Sequence, residues 1–271
     1  MAVGELDGRV ALVTGANQGI GASAAVALAR LGADVAVGYF RVSPSGDDAY
    51  PPAFDEARGR DGSDIVAAIE QLGRRAAAIE ADLTLAGAPA ELFGAAESAL
   101  GPIDILVNNA SGARRDTFDA GATDAVGRRA DLVSPESFDA QFLINARAAG
   151  LLIAAYARSL RARNADWGRI ISLTSGGPMG FPGEASYGAA KAALENYTMT
   201  ASVELATQGI TANVVYPPVT DTGWVTDEVR AFVATSTDHV HVAEPEDVAG
   251  VIAWLCTDAA RMVTGNVIRL R

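Results

Sequence analysis

Apolar runs typical of buried strands alternate along the chain with longer segments that have helical spacing. The strand-like runs cover residues 9–14, 34–39, 76–81, 103–108, 169–174, 211–215 and 266–270. Helical spacing covers the segment ending near residue 31, and residues 64–72, 89–100, 187–208, 245–259 and a long segment that begins at Pro135. Strands that alternate with helices predict an α/β fold with a doubly wound parallel sheet. No repeat or linker interrupts the pattern, so residues 1–271 are predicted to form a single domain.

Three segments lack both periodicities and are predicted to be loops. Residues 41–63 are rich in Pro, Gly and Asp and predict a long surface loop. Residues 113–132 contain four arginines and few apolar side chains, and residues 222–244 are polar. The last two segments are predicted to be loops that contact a substrate.

The composition excludes several classes of partner. A formal charge of −12 with no basic stripe argues against nucleic acid and against anionic membranes. The N-terminal residues show no basic region followed by an apolar core, so no signal peptide is expected. The apolar run at 148–157 is too short to span a bilayer. Cys256 is the single cysteine, which excludes an internal disulfide. A cytoplasmic protein is the simplest expectation.

A glycine-rich turn, Gly15-Ala-Asn-Gln-Gly19-Ile-Gly21, connects the first strand to an alanine-rich helix. Glycines let the backbone turn sharply and approach a pyrophosphate, and the helix N-terminus favours the anion. A glycine-rich loop alone is weak support for this function. Between a strand and a helix it indicates a dinucleotide site.

Tyr187 and Lys191 lie four residues apart in a segment with helical spacing, so they share one face of the predicted helix. A free phenol titrates near pH ~10, and an adjacent ammonium stabilises the phenolate and lowers that pKa. Ser175, at the end of the preceding strand, can hold a carbonyl oxygen in the same space. A Tyr–Lys pair at this spacing is also common on surface helices, so the glycine-rich loop is needed as a second motif.

The ordered set of motifs resembles the classical short-chain dehydrogenase/reductase family. The set is Thr14-Gly-Ala-Asn-Gln-Gly-Ile-Gly21, Asn108-Asn-Ala110, Ser175 and Tyr187-x-x-x-Lys191. The likeness covers nearly the whole chain, from Gly8 to about Ile268. It implies a Rossmann-type domain that interconverts an alcohol and a carbonyl with NAD or NADP. Within the family, the chain resembles the 3-oxoacyl reductases.

The resemblance also implies roles for individual residues. Tyr187 would be the acid–base group, Lys191 would lower its pKa and bind the nicotinamide ribose, and Ser175 would hold the substrate oxygen. Asn145, in the long helix, would anchor a water molecule in a proton relay, and Asp82 would contact the adenine. The alternatives are a helix-packing amide for Asn145 and a strand-end turn for Asp82.

The cofactor site implied by the resemblance draws on most of the chain. Its residues are Gly15, Asn17, Gln18, Gly19, Ile20, Gly21, Tyr39, Arg41, Asp82, Leu83, Asn109, Ala110, Ser111, Tyr187, Lys191, Pro217, Thr220 and Thr222.

The sequence departs from the family pattern at several positions. Ser111 follows Asn-Asn-Ala where the family usually has Gly. Pro218 follows Pro217 where Pro-Gly is usual, and proline removes an amide donor near the nicotinamide carboxamide. The commonest spacing from Tyr187 would select Thr174 as the serine-equivalent residue, whereas the phase of the strand favours Ser175. Residues 269–271 replace the usual Asp-Gly-Gly.

The residues after the second strand favour NADP(H) over NAD(H). NAD-preferring relatives end this strand with an acid that binds the adenosine ribose. This chain has Tyr39-Phe-Arg41, and Arg41 could pair with a 2′-phosphate. Gln18, where many NADP users have a basic residue, opposes this assignment, as do the acids Asp47, Asp48, Asp55 and Glu56.

Other functions stay open at this point. A non-catalytic nucleotide sensor on the same fold would not need the complete set of Asn145, Ser175, Tyr187 and Lys191. A sugar epimerase or dehydratase of the extended branch would have a longer C-terminal substrate domain. The substrate is a small-molecule carbonyl or alcohol, and acyl thioesters, steroids, sugars and xenobiotics all fit.

The two histidines and the two long helices bear on metal binding and on assembly. His239 and His241 lie near Asp238 and Glu244, but this set has too few ligands for a metal site, so no metal is predicted. Members of the family pair their two long helices, here 135–163 and 187–208, so a homotetramer or homodimer is expected. The apolar run at 151–156 would otherwise face water.

Overall fold

Seven parallel strands form the central sheet within the residues that the computed structural model describes, which are 4–43, 50–112, 114–124, 126–176, 180–237 and 239–271. The strands in chain order are β1 (Val10–Thr14), β2 (Asp34–Tyr39), β3 (Ala76–Glu80), β4 (Ile105–Asn108), the separate short pair β5 (Asp116–Thr117) and β6 (Asp131–Leu132), β7 (Gly168–Leu173), β8 (Ile210–Tyr216) and β9 (Val267–Arg269). Across the sheet the order is β3-β2-β1-β4-β7-β8-β9. The order reverses between β1 and β4, where sheets of this kind bind ligands. The predicted doubly wound parallel sheet is confirmed.

Helices cover both faces of the sheet. They are α1 (Gly19–Arg30), α2 (Pro52–Gly59), α3 (Ser63–Gln71), α4 (Ala88–Leu100), α5 (Pro135–Phe142), α6 (Ala149–Ala162), α7 (Ala185–Glu204), α8 (Asp227–Thr235) and α9 (Pro245–Leu255). One apolar core lies between the sheet and α1, α3 and α9, and the other lies beneath α4, α6 and α7. Because the strands are buried on both faces, their sequences are continuous apolar runs.

Two of the predicted loops contain helices. Residues 52–59 form α2, which begins at a proline and has one buried apolar anchor, Phe54, 9% exposed and stacked on Tyr50. Residues 227–235 form α8, whose N-terminus is capped by the Thr226 side chain. The prediction of irregular loops is wrong at these positions. Each helix is short, and its few apolar residues give too little periodicity to distinguish it from a loop.

A π-helical segment, Leu143–Ala148, joins α5 to α6, so residues 135–162 form one continuous helix. By length and composition alone this helix could cross a bilayer. In the fold, however, Leu152, Ile153 and Tyr156 are buried in the second core. The prediction that the run at 151–156 faces water is therefore wrong at these three positions, whereas Leu151 (41% exposed) and Ala154 do face water.

Candidate active site

A cleft of about 1410 Å³ lies at the carboxyl ends of the strands. It brings together most of the residues predicted from the sequence, including Ser175, Tyr187 and Lys191. Among the predicted site residues, Gly21, Arg41 and Asn145 do not line it. Of the acids expected near strand two, Asp47 and Asp48 lie outside the described residues.

The glycine-rich loop is shaped by close approaches that a side chain would prevent. Gly15 and Gly19 have φ angles of +62° and +56°, which favour glycine. A Cβ at Gly19 would lie 2.8 Å from the Thr222 side chain, and a Cβ at Gly21 would lie 2.3 Å from the Gly15 carbonyl oxygen. Gly21 therefore acts inside the loop and does not reach the cleft.

Asn109 supports this loop from behind. Its side-chain amide donates to the carbonyl oxygens of Thr14 (2.8 Å) and Gly15 (3.0 Å). The Thr14 hydroxyl in turn accepts from the backbone amides of Asn109 and Ala110, each at 3.0 Å. The end of β4 and the glycine-rich loop are thus held as one unit. After β3, the Asp82 side chain accepts hydrogen bonds from the amide and the hydroxyl of Thr84. This contact corresponds to the strand-end turn that was the alternative to adenine binding for Asp82.

Lys191 is 2% exposed and lies beneath Tyr187. Its Nζ donates to the Leu173 carbonyl oxygen at 2.9 Å and lies 5.6 Å from the centre of the Tyr187 ring. Burial lowers the pKa of Lys191 to about 8. Lys191 is also the only lysine among the 21 basic residues of the chain, a sequence signal that the motif analysis did not use.

Ser175, rather than Thr174, faces Tyr187. The Thr174 hydroxyl donates to Glu195 Oε1 at 2.6 Å on α7, whereas the Ser175 hydroxyl hydrogen-bonds to the phenol and lowers its pKa. The phase of β7 explains the difference, because successive side chains of an extended chain point to opposite sides.

Burial is the largest influence on Tyr187 and raises its pKa to about 12. Hydrogen bonding with the side chains of Ser111 and Ser175 acts in the opposite direction, and the carboxylate of Glu184 raises the pKa further. The direction is opposite to the lowering predicted from Lys191. The sequence showed the positive charge of Lys191 near Tyr187. The free-energy cost of removing a phenolate from water, however, depends on how deeply the folded chain buries it.

Asn145 lies in the π-helical segment and is completely buried. Its Oδ1 accepts from the Ser111 hydroxyl at 2.8 Å. Its Nδ2 donates to the Gln141 backbone carbonyl at 3.1 Å and to Gln141 Oε1 at 2.9 Å. Asn145 therefore stands behind Ser111 and is separated by it from the cleft.

Asp116 is a residue that sequence reasoning missed. It is fully buried in the segment predicted as a substrate loop. One carboxylate oxygen accepts from the backbone amide of Ser186 at 2.8 Å, and the other accepts from the Ser137 hydroxyl at 2.7 Å. It thereby ties together the N-termini of α7 and α5, the helices that lead to Tyr187 and Asn145. No local pattern distinguishes this aspartate from the others in its polar segment.

Known proteins are similar to this chain over most of its length. A sequence profile described as enoyl-(acyl carrier protein) reductase matches residues 53–270. A 3-oxoacyl-[acyl-carrier-protein] reductase from Synechocystis is 33% identical, with 98% of this chain and 96% of that protein covered. The chain belongs to the short-chain dehydrogenase/reductase family. It is thus an NAD(P)-dependent oxidoreductase that interconverts alcohols and carbonyls, as predicted.

Two further relatives are reductases of ring compounds by their names. A hydroxynaphthalene reductase-like protein, Arp2, from Metarhizium guizhouense is 32% identical over 98% of this chain and 94% of that protein. The crystal structure of the landomycin C-6 ketoreductase LanV with bound NADP and rabelomycin superposes with a TM-score of 0.77. LanV is 32% identical, and the alignment covers 98% of this chain and 96% of that chain. These similarities confirm the prediction of an NADP-dependent reductase.

The cleft of this short-chain reductase fits a dinucleotide. The glycine loop leaves space for a pyrophosphate at the N-terminus of α1, whose first turn carries no acidic residue. Gln18 Oε1 is buried there without a hydrogen-bond partner among the described residues. Pro217, Pro218, Thr220 and Thr222 line the opposite side of the cleft. These residues, with Tyr187 and Lys191 at the nicotinamide end, would hold NADP.

The described residues contain no cluster of three or more His, Cys, Asp or Glu that could hold a metal ion. The His239 ring packs on Phe232, with the ring centres 5.6 Å apart. Asp238 lies outside the described part of the chain.

Proposed function

We propose that this short-chain reductase uses NADPH to reduce a ketone carried on a fused aromatic ring system. The observation that carries the proposal is the aromatic lining of the cleft, which comprises Tyr50, Phe54, Phe181, Trp224 and Phe232. Aromatic side chains bind flat rings through stacked and edge-to-face contacts. At about 1410 Å³, the cleft exceeds the usual ~300–1,000 Å³ of a ligand pocket. It therefore has room for a polycyclic substrate beside a dinucleotide.

One of these aromatic residues lies next to Tyr187, and others are held in place by neighbouring groups. The Phe181 ring centre lies 6.0 Å from that of Tyr187. The Trp224 indole is fixed by a hydrogen bond to the Thr220 carbonyl oxygen at 3.0 Å, and the Phe54 ring stacks on Tyr50 with ring centres 5.2 Å apart. The walls are therefore anchored, which lets them orient a flat substrate. The hydroxynaphthalene reductase-like relative is named for a fused aromatic ring, which supports the proposal.

An acyl thioester is the second candidate, because one relative is a 3-oxoacyl-[acyl-carrier-protein] reductase. The formal charge of −12 opposes docking of an acidic carrier protein, which would be repelled at long range. Arg128, one of the arginines that line the cleft, is also paired with acids. Arg128 Nε donates to Asp124 at 2.6 Å, and its Nη2 lies 3.8 Å from Glu184.

The proposed chemistry assigns one task to each side chain. The dinucleotide, when bound, supplies the hydride. Tyr187 donates the proton to the substrate oxygen, and Ser175 holds that oxygen in place. Lys191, fixed by the Leu173 carbonyl oxygen, places a positive charge beneath the phenol and binds the nicotinamide ribose. Asn145 does not line the cleft, and its side-chain oxygen positions the Ser111 hydroxyl by accepting its hydrogen bond.

A paired substrate assay tests the proposal. NADPH consumption is measured with 1-tetralone, an aromatic bicyclic ketone, with trans-1-decalone, its saturated counterpart, and with acetoacetyl-CoA. We expect the highest kcat/KM for the aromatic ketone. Trp224→Leu should reduce the preference of 1-tetralone over trans-1-decalone, because one stacking surface is lost. A higher kcat/KM for the thioester would reject the aromatic substrate in favour of the second candidate.

The residue that recognises the 2′-phosphate of NADP is a separate question. Arg41, predicted for this role, donates two hydrogen bonds to Glu80, at 2.9 and 2.7 Å, and does not line the cleft. Arg58 on α2 does line it, beside Tyr39, and has no carboxylate partner in the described part of the chain. The Arg58 carbonyl oxygen accepts from the Val42 amide at 3.1 Å, which places the end of α2 against the chain leaving β2. The geometry therefore favours Arg58.

We expect Arg58→Ala to raise the Kd for NADPH about 10- to 150-fold, because a hydrogen bond to a charged group contributes ~1.5–3 kcal/mol. The Kd for NADH should hardly change. Titration of nicotinamide fluorescence measures both constants. Arg41→Ala and Glu80→Gln are the matched variants. If Arg41 is the phosphate ligand, Arg41→Ala gives the larger loss and Glu80→Gln strengthens NADPH binding. Equal losses for both dinucleotides would contradict either assignment.

We propose that the chain forms homodimers or homotetramers through its two long helices and that it is cytoplasmic. Leu151 on α6 and Tyr197 and Val203 on α7 are exposed apolar residues on these helices. Pairing two copies would remove them from water. Light scattering at micromolar concentration should give a multiple of the chain mass of 27.8 kDa. A Leu151→Glu variant should shift the mass towards the monomer, and a monomeric wild type would contradict this prediction.

A further inference from the structure

The last strand of the sheet brings two arginines to the cleft. Arg269 ends β9, and Arg271 lies two residues beyond it. Both line the cleft, and within the described residues neither forms an ion pair or donates a side-chain hydrogen bond. The other arginines that line the cleft have roles already, since Arg128 pairs with Asp124 and Arg58 is proposed to bind the 2′-phosphate. In a chain with a formal charge of −12, this end of the cleft is therefore positively charged.

Arg269 is held in place by Tyr216 on the neighbouring strand. The two residues lie opposite each other in the pairing of β8 with β9, and the guanidinium carbon lies 4.4 Å from the centre of the Tyr216 ring. The Leu270 amide donates to the Tyr216 carbonyl oxygen at 2.9 Å, so the pairing continues past Arg269. A guanidinium stacked on a ring keeps its N–H groups in its own plane, where they match the two oxygens of a carboxylate. Stacking thus orients Arg269 and leaves its donors available to a ligand.

Tyr216 also connects Arg269 to the site of reduction. Its hydroxyl donates to the carbonyl oxygen of Gly176, the residue that follows Ser175. In the sheet, β8 lies between β7 and β9. Neighbouring strands are about 4.8 Å apart, so the ends of β7 and β9 are separated by about 10 Å. A fused ring system whose ketone oxygen is held by Ser175 can therefore extend towards the guanidinium of Arg269.

The phosphates of the dinucleotide lie too far away to use this arginine. The 2′-phosphate is proposed to bind Arg58, beside Tyr39 at the end of β2, and five strand spacings, about 24 Å, separate β2 from β9. The glycine-rich loop follows β1, which is four spacings, about 19 Å, from β9. The anion that fits Arg269 therefore belongs to the substrate.

We propose that Arg269 forms a subsite for a carboxylate on the substrate, at the far end of the ring system from the ketone that is reduced. Arg271 lines the same cleft and adds a second positive charge. This inference deepens the proposed function and rests on it, because the ring system is the one proposed to bind the aromatic lining. It predicts that the enzyme prefers aromatic ketones that carry an acid group.

The test compares the reduction of 1-tetralone-6-carboxylate with that of its methyl ester, which is the same ketone without the negative charge. Arg269→Gln should lower kcat/KM for the carboxylate about 5- to 20-fold, between the effects of exposed ion pairs and of less exposed charged hydrogen bonds. The value for the ester should hardly change. Arg269→Lys keeps the charge without the planar fork and should lose less. An equal loss for carboxylate and ester would overturn the proposal.

Arg30→Gln is the matched control, because it removes the same charge from the exposed end of α1, away from the cleft. It should leave both kcat/KM values unchanged. If it lowers the value for the carboxylate as much as Arg269→Gln does, the effect comes from the net charge of the protein, and the subsite is rejected.

Equilibrium binding separates this inference from the proposed reaction. The Kd values of 2-naphthoate and of neutral 2-naphthamide are measured by calorimetry on the protein with NADP⁺ bound, which requires no turnover. Wild type should bind the carboxylate more tightly, and Arg269→Gln should remove that preference. If the ketones are not reduced but naphthoate binding depends on Arg269, the proposed reaction fails and the subsite stands. Equal Kd values for the acid and the amide in wild type, or no binding of the acid, would overturn the subsite.

Discussion

Replacement of Tyr187 with Phe should reduce kcat for ketone reduction by at least ~10²–10⁴-fold, the usual contribution of general acid–base catalysis. The substitution removes the proton donor and keeps the ring, so the contact with Phe181 at 6.0 Å should persist. Because the substitution removes one hydroxyl from a cofactor site that draws on many residues, the Kd for NADPH should change far less than kcat. Single-turnover NADPH oxidation, measured with saturating substrate, reports the chemical step directly.

Tyr197→Phe is the matched control for this substitution. Tyr197 lies on the same helix but is 48% exposed and does not line the cleft. Its variant should keep wild-type kcat. A Tyr187→Phe enzyme with near-normal turnover would show that the proton comes from another group, and the proposed mechanism would then be wrong.

Replacement of Lys191 with Met should lower both kcat and the affinity for NADPH while it stabilises the fold. The ammonium is proposed to assist Tyr187 and to bind the nicotinamide ribose, so both functions lose a donor. Burial lowers the pKa of Lys191 from 10.5 to about 8. A buried charge therefore costs stability, and methionine avoids that cost with a similar shape.

The pH dependence of stability tests the same substitution. The folded state holds the Lys191 proton less tightly than the unfolded state, so the contribution of Lys191 to wild-type stability rises between about pH 8 and 10.5. The advantage of Lys191→Met in urea unfolding should be largest below pH 8, at most on the order of 3 kcal/mol, and shrink above it. A loss of rate without a loss of NADPH affinity would contradict the proposed binding of the nicotinamide ribose by Lys191. A loss of affinity without a loss of rate would contradict its proposed assistance to Tyr187.

The strands and most helices follow from the sequence because burial imposes a pattern on it. Strands covered on both faces need continuous apolar runs, and β2 agrees with its predicted range of 34–39. Helices α2 and α8 were missed because they rest on a few contacts over the cleft, such as the approach of Phe54 to Gly223, where an added Cβ would lie 3.8 Å from the Phe54 Cα. Such contacts are formed between distant segments and leave no periodic signal nearby.

The sequence by itself determined the parallel α/β sheet, the glycine-rich loop and the Tyr187–Lys191 pair. Each of these depends on residues that are neighbours in the chain, where helical or strand spacing brings side chains together directly. Only the tertiary structure decided that Arg41 pairs with Glu80, that the Ser111 hydroxyl donates to Asn145, and that burial raises the pKa of the phenol. These features depend on contacts between segments far apart in the chain and on exclusion of water, and both exist only once the sheet and its helices have assembled.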